Sequence, residues 1–299
     1  MPVFKPLGLE DRDLFLRRLS NYDFNTYEYS FLTLYLWKKY CNVEYAIIDD
    51  ALIIKKNQEK KGSYFMQPVG YPEGALQDIV KELVKIKEGD SSFKYLFGDI
   101  EAPFLHRLQD IYGQKIKYRE DANNFDYIYE TEKLINLTGR KLGKRKNHYN
   151  QFIKRYDYSL KDIGDQDVGK DCFNFAELWL KRRKAKHREL IFELEGIGDV
   201  LDNSQQLPAL GMAVYVKDKI AGFTIGEKVN SRLAIIHVEK GNTRYKGVYA
   251  FINKTFAEEY LRDAAYINRQ EDLGAVRLRE AKRAYDPVKF EKKYLVDLI

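Results

Sequence analysis

One order of elements is written twice along this chain, and that repetition limits the folds open to it. The first copy begins with "VEYAIIDDALIIKK", residues 43–56, two apolar runs about Asp49-Asp50 that read as a hairpin. There follow a strand, "SYFMQPVG", a helix, "EGALQDIVKELVKIK", with Leu76, Ile79, Val80 and Leu83 on one face, a strand, "FKYLFGDI", and a helix, "EAPFLHRLQDIYG". The second copy begins with the hairpin "GMAVYVKDKIAGFTIGEKV", residues 211–229, turning at Lys217-Asp218-Lys219. It continues with a strand, "RLAIIHVE", and a helix, "VYAFINKTFAEEYL", with Val248, Phe251, Ile252, Thr255 and Phe256 at helical spacing. The strand "AAYINRQ" and the helix "EDLGAVRLREAKRAY" complete it. Helical segments precede each copy, so two α+β domains of one plan are expected, each a mixed, mostly antiparallel sheet flanked by helices. The join is placed after the strand "FDYIYETEKL", giving domains 1–136 and 137–299. The other arrangement open to this order is one mixed sheet without duplication.

Nothing in the chain approaches the run of about 20 apolar residues that crosses a bilayer, and the N-terminal stretch is acidic and amphipathic, so a cytoplasmic protein is expected. Cys41 and Cys172 lie far apart, outside any CxxC, and read as reduced, partly buried thiols. His106, His148, His187 and His237 are scattered without metal-ligand spacing, so no metal is expected. The net charge is +6, concentrated in "GRKLGKRKNHYNQFIKRY" at 139–156 and "KRRKAKHR" at 181–188, which suits a phosphate-bearing partner or a solvated helix face.

The chemistry concentrates around residues 237–247. His237, Glu239 and Lys240 end a strand; Arg244, Lys246 and Gly247 lie at the mouth of a helix, where backbone N–H groups favour an anion. Strict alternation puts His237 and Glu239 on one face and Ile236 and Val238 on the other. Glu239 is the candidate base, or the partner of a nearby cation; His237 is a second candidate base, or a core-rim histidine bonded to a neighbour. Lys240, Arg244, Lys246 and Gly247 are candidates for holding a phosphate-bearing donor. Asn268 and Arg269 join them because a helix-dipole role accounts for Glu271 and Asp272 but not for this pair. Lys282 and Tyr285, three residues apart, share a helix face. Lys144, Arg145, Asn147, Tyr149 and Asn150 lie on the basic helix, which reads as a solvated surface helix or, as the family resemblance described next implies, as a tRNA contact with Tyr149 stacking on a base.

The hairpin–strand–turn–helix–strand–helix order resembles the GNAT (acyl-CoA N-acyltransferase) fold, in which the turn after the fourth strand binds the pyrophosphate of acyl-CoA through Arg/Gln-x-x-Gly-x-Gly/Ala. In "RYKGVY" Arg244 and Gly247 match and Tyr249 does not. The longer strings "HVEKGN" and "YINRQEDLGAVRLREAKRAYDPVKFEKKY" resemble an uncharacterised bacterial family related to the C-terminal domain of phosphatidylglycerol lysyltransferases, itself a tandem of two GNAT-like domains; Gln270, Ala284 and Asp286 depart from its pattern. That resemblance implies a Fem-like acyl or aminoacyl transfer, from aminoacyl-tRNA to an amine or hydroxyl such as a lipid headgroup or a small molecule. It also implies the basic helix early in the second domain, and a Lys282 or Tyr285 that protonates a leaving group. The alternatives are an acyl-CoA N-acyltransferase and a non-catalytic binding protein on a degenerate tandem fold. No cofactor is implied beyond the donor, and the first domain, which lacks a basic phosphate turn in "FMQPVGYPEG", is expected to have no active centre of its own.

Overall fold

The computed structural model describes residues 2–183 and 188–299. The chain forms two compact units, Met1–Phe125 with Glu291–Ile299, and Asp126–Phe290. The first contains β1 (Lys5–Pro6), α1 (Arg12–Leu19), α2 (Phe31–Leu36), β2 (Glu44–Ile48), β3 (Ala51–Gln58), β4 (Gly62–Phe65), α3 (Leu76–Glu88), β5 (Phe93–Ile100), α4 (Ala102–Tyr112) and β6 (Ile116–Glu120). The second contains β7 (Asp126–Glu130), α5 (Thr131–Asn136), α6 (Gly143–Arg155), β8 (Tyr158–Asp162), α7 (Gln166–Arg183), α8 (Arg188–Asp202), β9 (Leu210–Val216), β10 (Lys219–Lys228), β11 (Leu233–Gly241), α9 (Val248–Tyr260), β12 (Tyr266–Asn268), α10 (Val276–Arg283) and β13 (Lys289–Glu291). The last strand, β14 (Tyr294–Leu298), belongs to the first unit.

The sheets run β1-β2-β3-β4-β5-β14-β6 and β8-β9-β10-β11-β12-β7-β13. They correspond strand for strand, including one parallel pair in the middle of each, β4 with β5 and β11 with β12. The sixth place in each sheet is filled from the other half of the sequence: β7 follows β6 directly but pairs with β12, and β14 follows unit 2 but pairs with β5. The expected join at 136/137 is therefore corrected to 125/126, with the C-terminal segment returning. The misplacement has a simple cause. An apolar strand says that it needs two neighbours, not which ones. "FDYIYETEKL" is strand only to Glu130 and then helix α5, and "EDLGAVRLREAKRAY" is helical only over 276–283.

Both hairpins close through two central residues with positive φ, Asp49 (46°) with Asp50 (66°) and Lys217 (48°) with Asp218 (61°), which matches the twist of the strands they join. Each sheet carries its own core. In unit 1 Phe65, Phe97, Ile79, Leu83 and Leu108 pack together; in unit 2 α9 lays Phe251, Ile252 and Phe256 on the sheet, and Phe152 of α6 stacks on Phe251 at 4.4 Å between ring centroids.

Gly247, the residue before α9, sits at φ 89°, and a Cβ there would lie 2.1 Å from the carbonyl oxygen of His148 in α6. At this glycine, a candidate for holding a phosphate-bearing donor, the close approach is made by helix α6. Both the positive φ and the contact forbid a side chain, so Gly247→Ala should cost at least about 1–3 kcal/mol. A wild-type midpoint in urea for that variant would refute this packing.

Candidate functional site

The two parallel strands of unit 2 separate. β11 pairs with β12 only over Leu233–Ile235 and Tyr266–Asn268, and then runs on to Gly241. β12 ends because the Asn268 side chain turns the backbone: its Oδ1 accepts from the Gln270 N–H at 2.7 Å, and Gln270 takes φ 59°. Asn268 is fully buried and donates through Nδ2 to Asp126 at 2.8 Å. In the opening beyond that point lie Glu239 from β11 and Arg269 from the end of β12.

A β-bulge decides which side chains face this opening. The register of β10 against β11 slips between Ile225 and Gly226, so that Ile225 pairs with Val238 but Gly226 with Ile236, and His237 is the extra residue. Gly226 faces α9, since a Cβ there would meet Phe256 at 2.9 Å. Its partner Ile236 faces α9 too, and so, past the bulge, does Glu239, opposite Thr224. Strict alternation had put Glu239 with His237, and the extra residue reverses that. His237 is buried on the other side, with Nε2 2.8 Å from Glu227 Oε1 and Nδ1 3.2 Å from Gln270 Nε2. Lys240, expected near a phosphate, is also turned away from Glu239. It is buried, pairs with Glu193 at 2.6 Å and lies 4.0 Å over the Trp179 ring; burial lowers its pKa.

Arg269 Nη2 donates to Glu239 Oε1 at 3.2 Å and Oε2 at 3.3 Å, and Asn253 Nδ2 of α9 donates to Oε2 at 3.4 Å. The side chains of Arg269 and Glu239 are only 11% and 13% exposed. The Arg269 guanidinium lies 4.7 Å from the Tyr285 ring centre and 5.6 Å from that of Tyr129. On Tyr285 it is joined by Arg145 of α6 at 5.1 Å, and burial pushes the Tyr285 hydroxyl up to about 12. Two buried polar atoms, Arg269 Nη1 and Asn253 Oδ1, have no hydrogen-bond partner among the described residues. Such atoms are rare in folded proteins because each forfeits its hydration. Here a donor and an acceptor lie beside one carboxylate.

Lys282 supports this site from behind. Its ammonium donates to the carbonyl oxygens of Arg269 (2.5 Å), Gln270 (3.0 Å) and Glu271 (2.5 Å), and Tyr129 OH donates to the Lys282 carbonyl at 2.7 Å. Burial lowers its pKa to about 8. All three donor hydrogens are used on the loop that carries Arg269, which corrects its expected role as a proton donor to a leaving group. The phosphate candidates Arg244 and Lys246 are exposed on the turn before α9, with their backbone N–H groups bonded to Asn242 Oδ1 and Tyr156 OH.

On the basic helix α6, Lys144 and Asn147 are exposed and Asn150 is half-buried, whereas Arg145 turns inward to Tyr285. Tyr149, expected to stack on a base, instead stacks on Phe251 (5.8 Å, 14°) and takes Lys254 at 5.0 Å. Of the second basic cluster, 184–187 lie outside the described residues, His187 among them; Arg182 and Arg183 line an open pocket of about 550 Å³ with Trp179, Phe175, Asn242 and Tyr249. Cys41 and Cys172 are free and buried.

Sequence reasoning missed Asn253 and Tyr129. The signal for Asn253 was present: an asparagine beside Ile252 and Phe256 on the apolar stripe of a helix. It also missed a charged cluster at the corresponding place in unit 1. There β5 runs past Phe97, its last pairing with β4, to Asp99, which sits at φ 55°. Asp99 accepts from Lys61 (2.7 Å), Lys56 (3.3 Å) and Tyr64 OH (2.6 Å), and Glu28 from Lys56 (2.5 Å) and Lys293 (3.2 Å). Four of these five charged side chains are at most 6% exposed.

A seven-stranded sheet parted at a central parallel pair, with a helix crossing between the parting strands, is the GNAT acyltransferase fold, and this chain contains it twice. The chain belongs to the family described as phosphatidylglycerol lysyltransferase, C-terminal, whose model matches residues 20–297. A conserved protein of unknown function from Bacteroides thetaiotaomicron is 30% identical over the full length of both chains, with a TM-score of 0.91. L-PGS from Bacillus licheniformis shares the fold at 14% identity, over 98% of this chain and 92% of that one, with a TM-score of 0.65. An uncharacterised protein of Mycoplasmoides gallisepticum is 26% identical over 98% of this chain and 99% of its own. Family and fold are those of acyl-transfer enzymes. No helix among the described residues is long and apolar enough to cross a membrane.

Proposed function

We propose that this protein transfers an aminoacyl group from aminoacyl-tRNA to an amine or hydroxyl acceptor, such as a lipid headgroup, at Glu239 and Arg269. The observation that carries this reading is the pair of unsatisfied buried atoms beside Glu239. An aminoacyl ester offers what they lack. Its carbonyl oxygen takes a hydrogen bond from Arg269 Nη1, where negative charge develops on attack, and its α-ammonium donates to Asn253 Oδ1. Glu239 then takes the proton of the attacking acceptor; as the new bond to the carbonyl carbon forms, the ester C–O bond breaks, and the departing ribose oxygen of the tRNA takes that proton back from Glu239. Arg244, Lys246, Lys144 and Asn147 are exposed and suited to the phosphates of a large donor. Coenzyme A is the less favoured donor: α6 presses on Gly247 in the turn where this fold holds a pyrophosphate, and Tyr249 adds a ring there.

The test is label transfer. The full chain is incubated with tRNA charged with radiolabelled amino acids, total bacterial lipid and small amines, and label is counted in each fraction. Label in lipid or amine, declining as salt rises, is the expected result. No transfer from any charged tRNA, together with saturable calorimetric binding of an acyl-CoA, would overturn the proposal in favour of an acyl-CoA N-acyltransferase. No transfer and no binding of either donor would leave a binding protein.

A further inference from the structure

The basic cluster at 181–188 has no part in the proposed transfer, yet its first residues wall a cavity. Along α7, Asp171, Phe175, Trp179 and Arg182 recur three or four residues apart, so they share one face. That face, the β9–β10 turn and the turn after β11 enclose the open pocket of about 550 Å³. Small molecules occupy pockets of about 300–1,000 Å³. Phe175, Ile220 and Tyr249 give it apolar surface. Phe175 is buried, and the Tyr249 ring rests on the bare backbone of Gly241, where a Cβ would lie 3.3 Å from it.

The rest of the lining is charged or polar. Arg182, Arg183 and Lys219 stand against Asp171 and Asp218. Asp171 accepts from Tyr215 OH at 2.6 Å. None of the three cations has a carboxylate partner among the described residues, whereas Lys181 beside them is held by Glu177. The Arg183 guanidinium lies 4.0 Å from the centre of the Trp179 ring, and an arginine seated on an indole offers both charge and a flat surface. Asn242 Oδ1 accepts from the Arg244 N–H, while its amide nitrogen and the Thr243 hydroxyl have no bond among the described residues. Trp179 is reached by Lys240, the β11 side chain turned away from Glu239, so this wall lies on the other side of β11 from the transfer centre.

We propose that this pocket binds a free nucleoside phosphate. The base lies against Trp179, Arg183 and Tyr249, as bases do on aromatic rings and guanidinium planes, and its edge accepts from Asn242 and Thr243. The phosphates meet Arg182 and Lys219. The ligand class follows from the combination. A bare phosphate would leave the apolar surface wet, and an acyl chain would leave three cations unmatched. A protein partner would be met by a flatter surface. The site goes beyond the proposed transfer and does not rest on it.

The chain has two tryptophans, so Trp37→Phe leaves Trp179 as the only indole and makes its fluorescence a probe of this pocket. The full chain carrying that change is titrated with the mono-, di- and triphosphates of adenosine and guanosine, with adenosine, with inorganic pyrophosphate and with uncharged tRNA. Saturable quenching by at least one free nucleotide is expected, with adenosine and pyrophosphate, which each fill half the site, about ten-fold weaker or more. Arg182→Ala with Lys219→Ala should weaken the nucleotide about ten-fold or more. Both side chains are exposed, and thermal melting controls folding. Glu239→Gln should bind the nucleotide as the wild type does. Absence of quenching by every free nucleotide overturns the proposal, as does equal affinity in the double variant. Quenching by tRNA alone also overturns it and gives the pocket to the transfer donor. Binding is read without turnover, so failed aminoacyl transfer leaves this inference standing.

Discussion

Glu239→Gln is expected to reduce transfer by about 10²–10⁴-fold, the usual contribution of a positioned base, while the protein stays folded. Glutamine keeps the shape of the side chain and still accepts from Asn253, so the substitution removes charge and basicity with little change in volume. Its structural cost falls on Arg269, which is left without a counter-ion in a site where only 11% of its side chain meets water. Melting must therefore be measured beside rate. Arg269→Lys separates the two roles of that residue. The lysine keeps a positive charge for Glu239 but cannot present a second nitrogen to a carbonyl oxygen, and it should lose about 10²–10³ in rate. Wild-type rates in Glu239→Gln would reduce Glu239 to the structural partner of Arg269 and move the search for a base elsewhere.

Asp99→Asn should be the most destabilising conservative substitution in unit 1. It leaves Lys56, Lys61 and Lys293 facing Glu28 alone, so a cluster of three positive and two negative charges becomes three and one. Asparagine tolerates the φ of 55° and can still accept from Tyr64, so neither strain nor shape enters. Removing one partner from buried charges of this kind costs about 3–5 kcal/mol. Lys56→Met, which leaves two charges of each sign, should cost less. Burial opposes ionisation of Asp99, but Lys61, Lys56 and Lys293 outweigh it and hold the carboxyl well below its ordinary range. A depressed pKa contributes stability that is present above the unfolded value, about 3.9, and is lost as pH falls below it. The wild-type advantage over Asp99→Asn should therefore hold near pH 7 and shrink as denaturant midpoints are followed below about pH 4. A constant gap, or Lys56→Met more damaging than Asp99→Asn, would show that the cluster does not hold together as a charge balance.

The hairpins, the crossing helix α9 and the order of elements in each half are legible in the sequence because each rests on a local rule: a turn dipeptide, a period of two, a period of 3.6. Glu239 and Arg269 were legible too, as polar residues at the ends of apolar strands. That they meet was not. Their contact depends on where β12 stops, set by the Asn268 side chain, and on the bulge at His237, which nothing in the residue pattern of β11 announces. The fates of Lys240, Lys282 and Tyr149 turn on neighbours distant in sequence, Glu193, the carbonyls of 269–271 and Phe251. The cluster around Asp99 draws on residues from 28 to 293, too widely spread for any spacing rule to gather.

The exchange of β7 and β14 also sets the schedule on which this protein can be made. On the ribosome the chain emerges from its N-terminus. Strands β2 to β5 can form as soon as they appear, but the place between β5 and β6 stays vacant until residues 294–298 arrive, a whole unit later. During that interval β5 and β6 each carry a row of unsatisfied amides, the kind of edge that captures other strands. The order of assembly is then fixed: the later half completes its sheet first, with β7 already waiting, and the earlier half is sealed last by the tail of the chain. A nascent chain stalled in between would be the species that most needs a chaperone, and a chain cut short before residue 294 would leave the half made first unfastened.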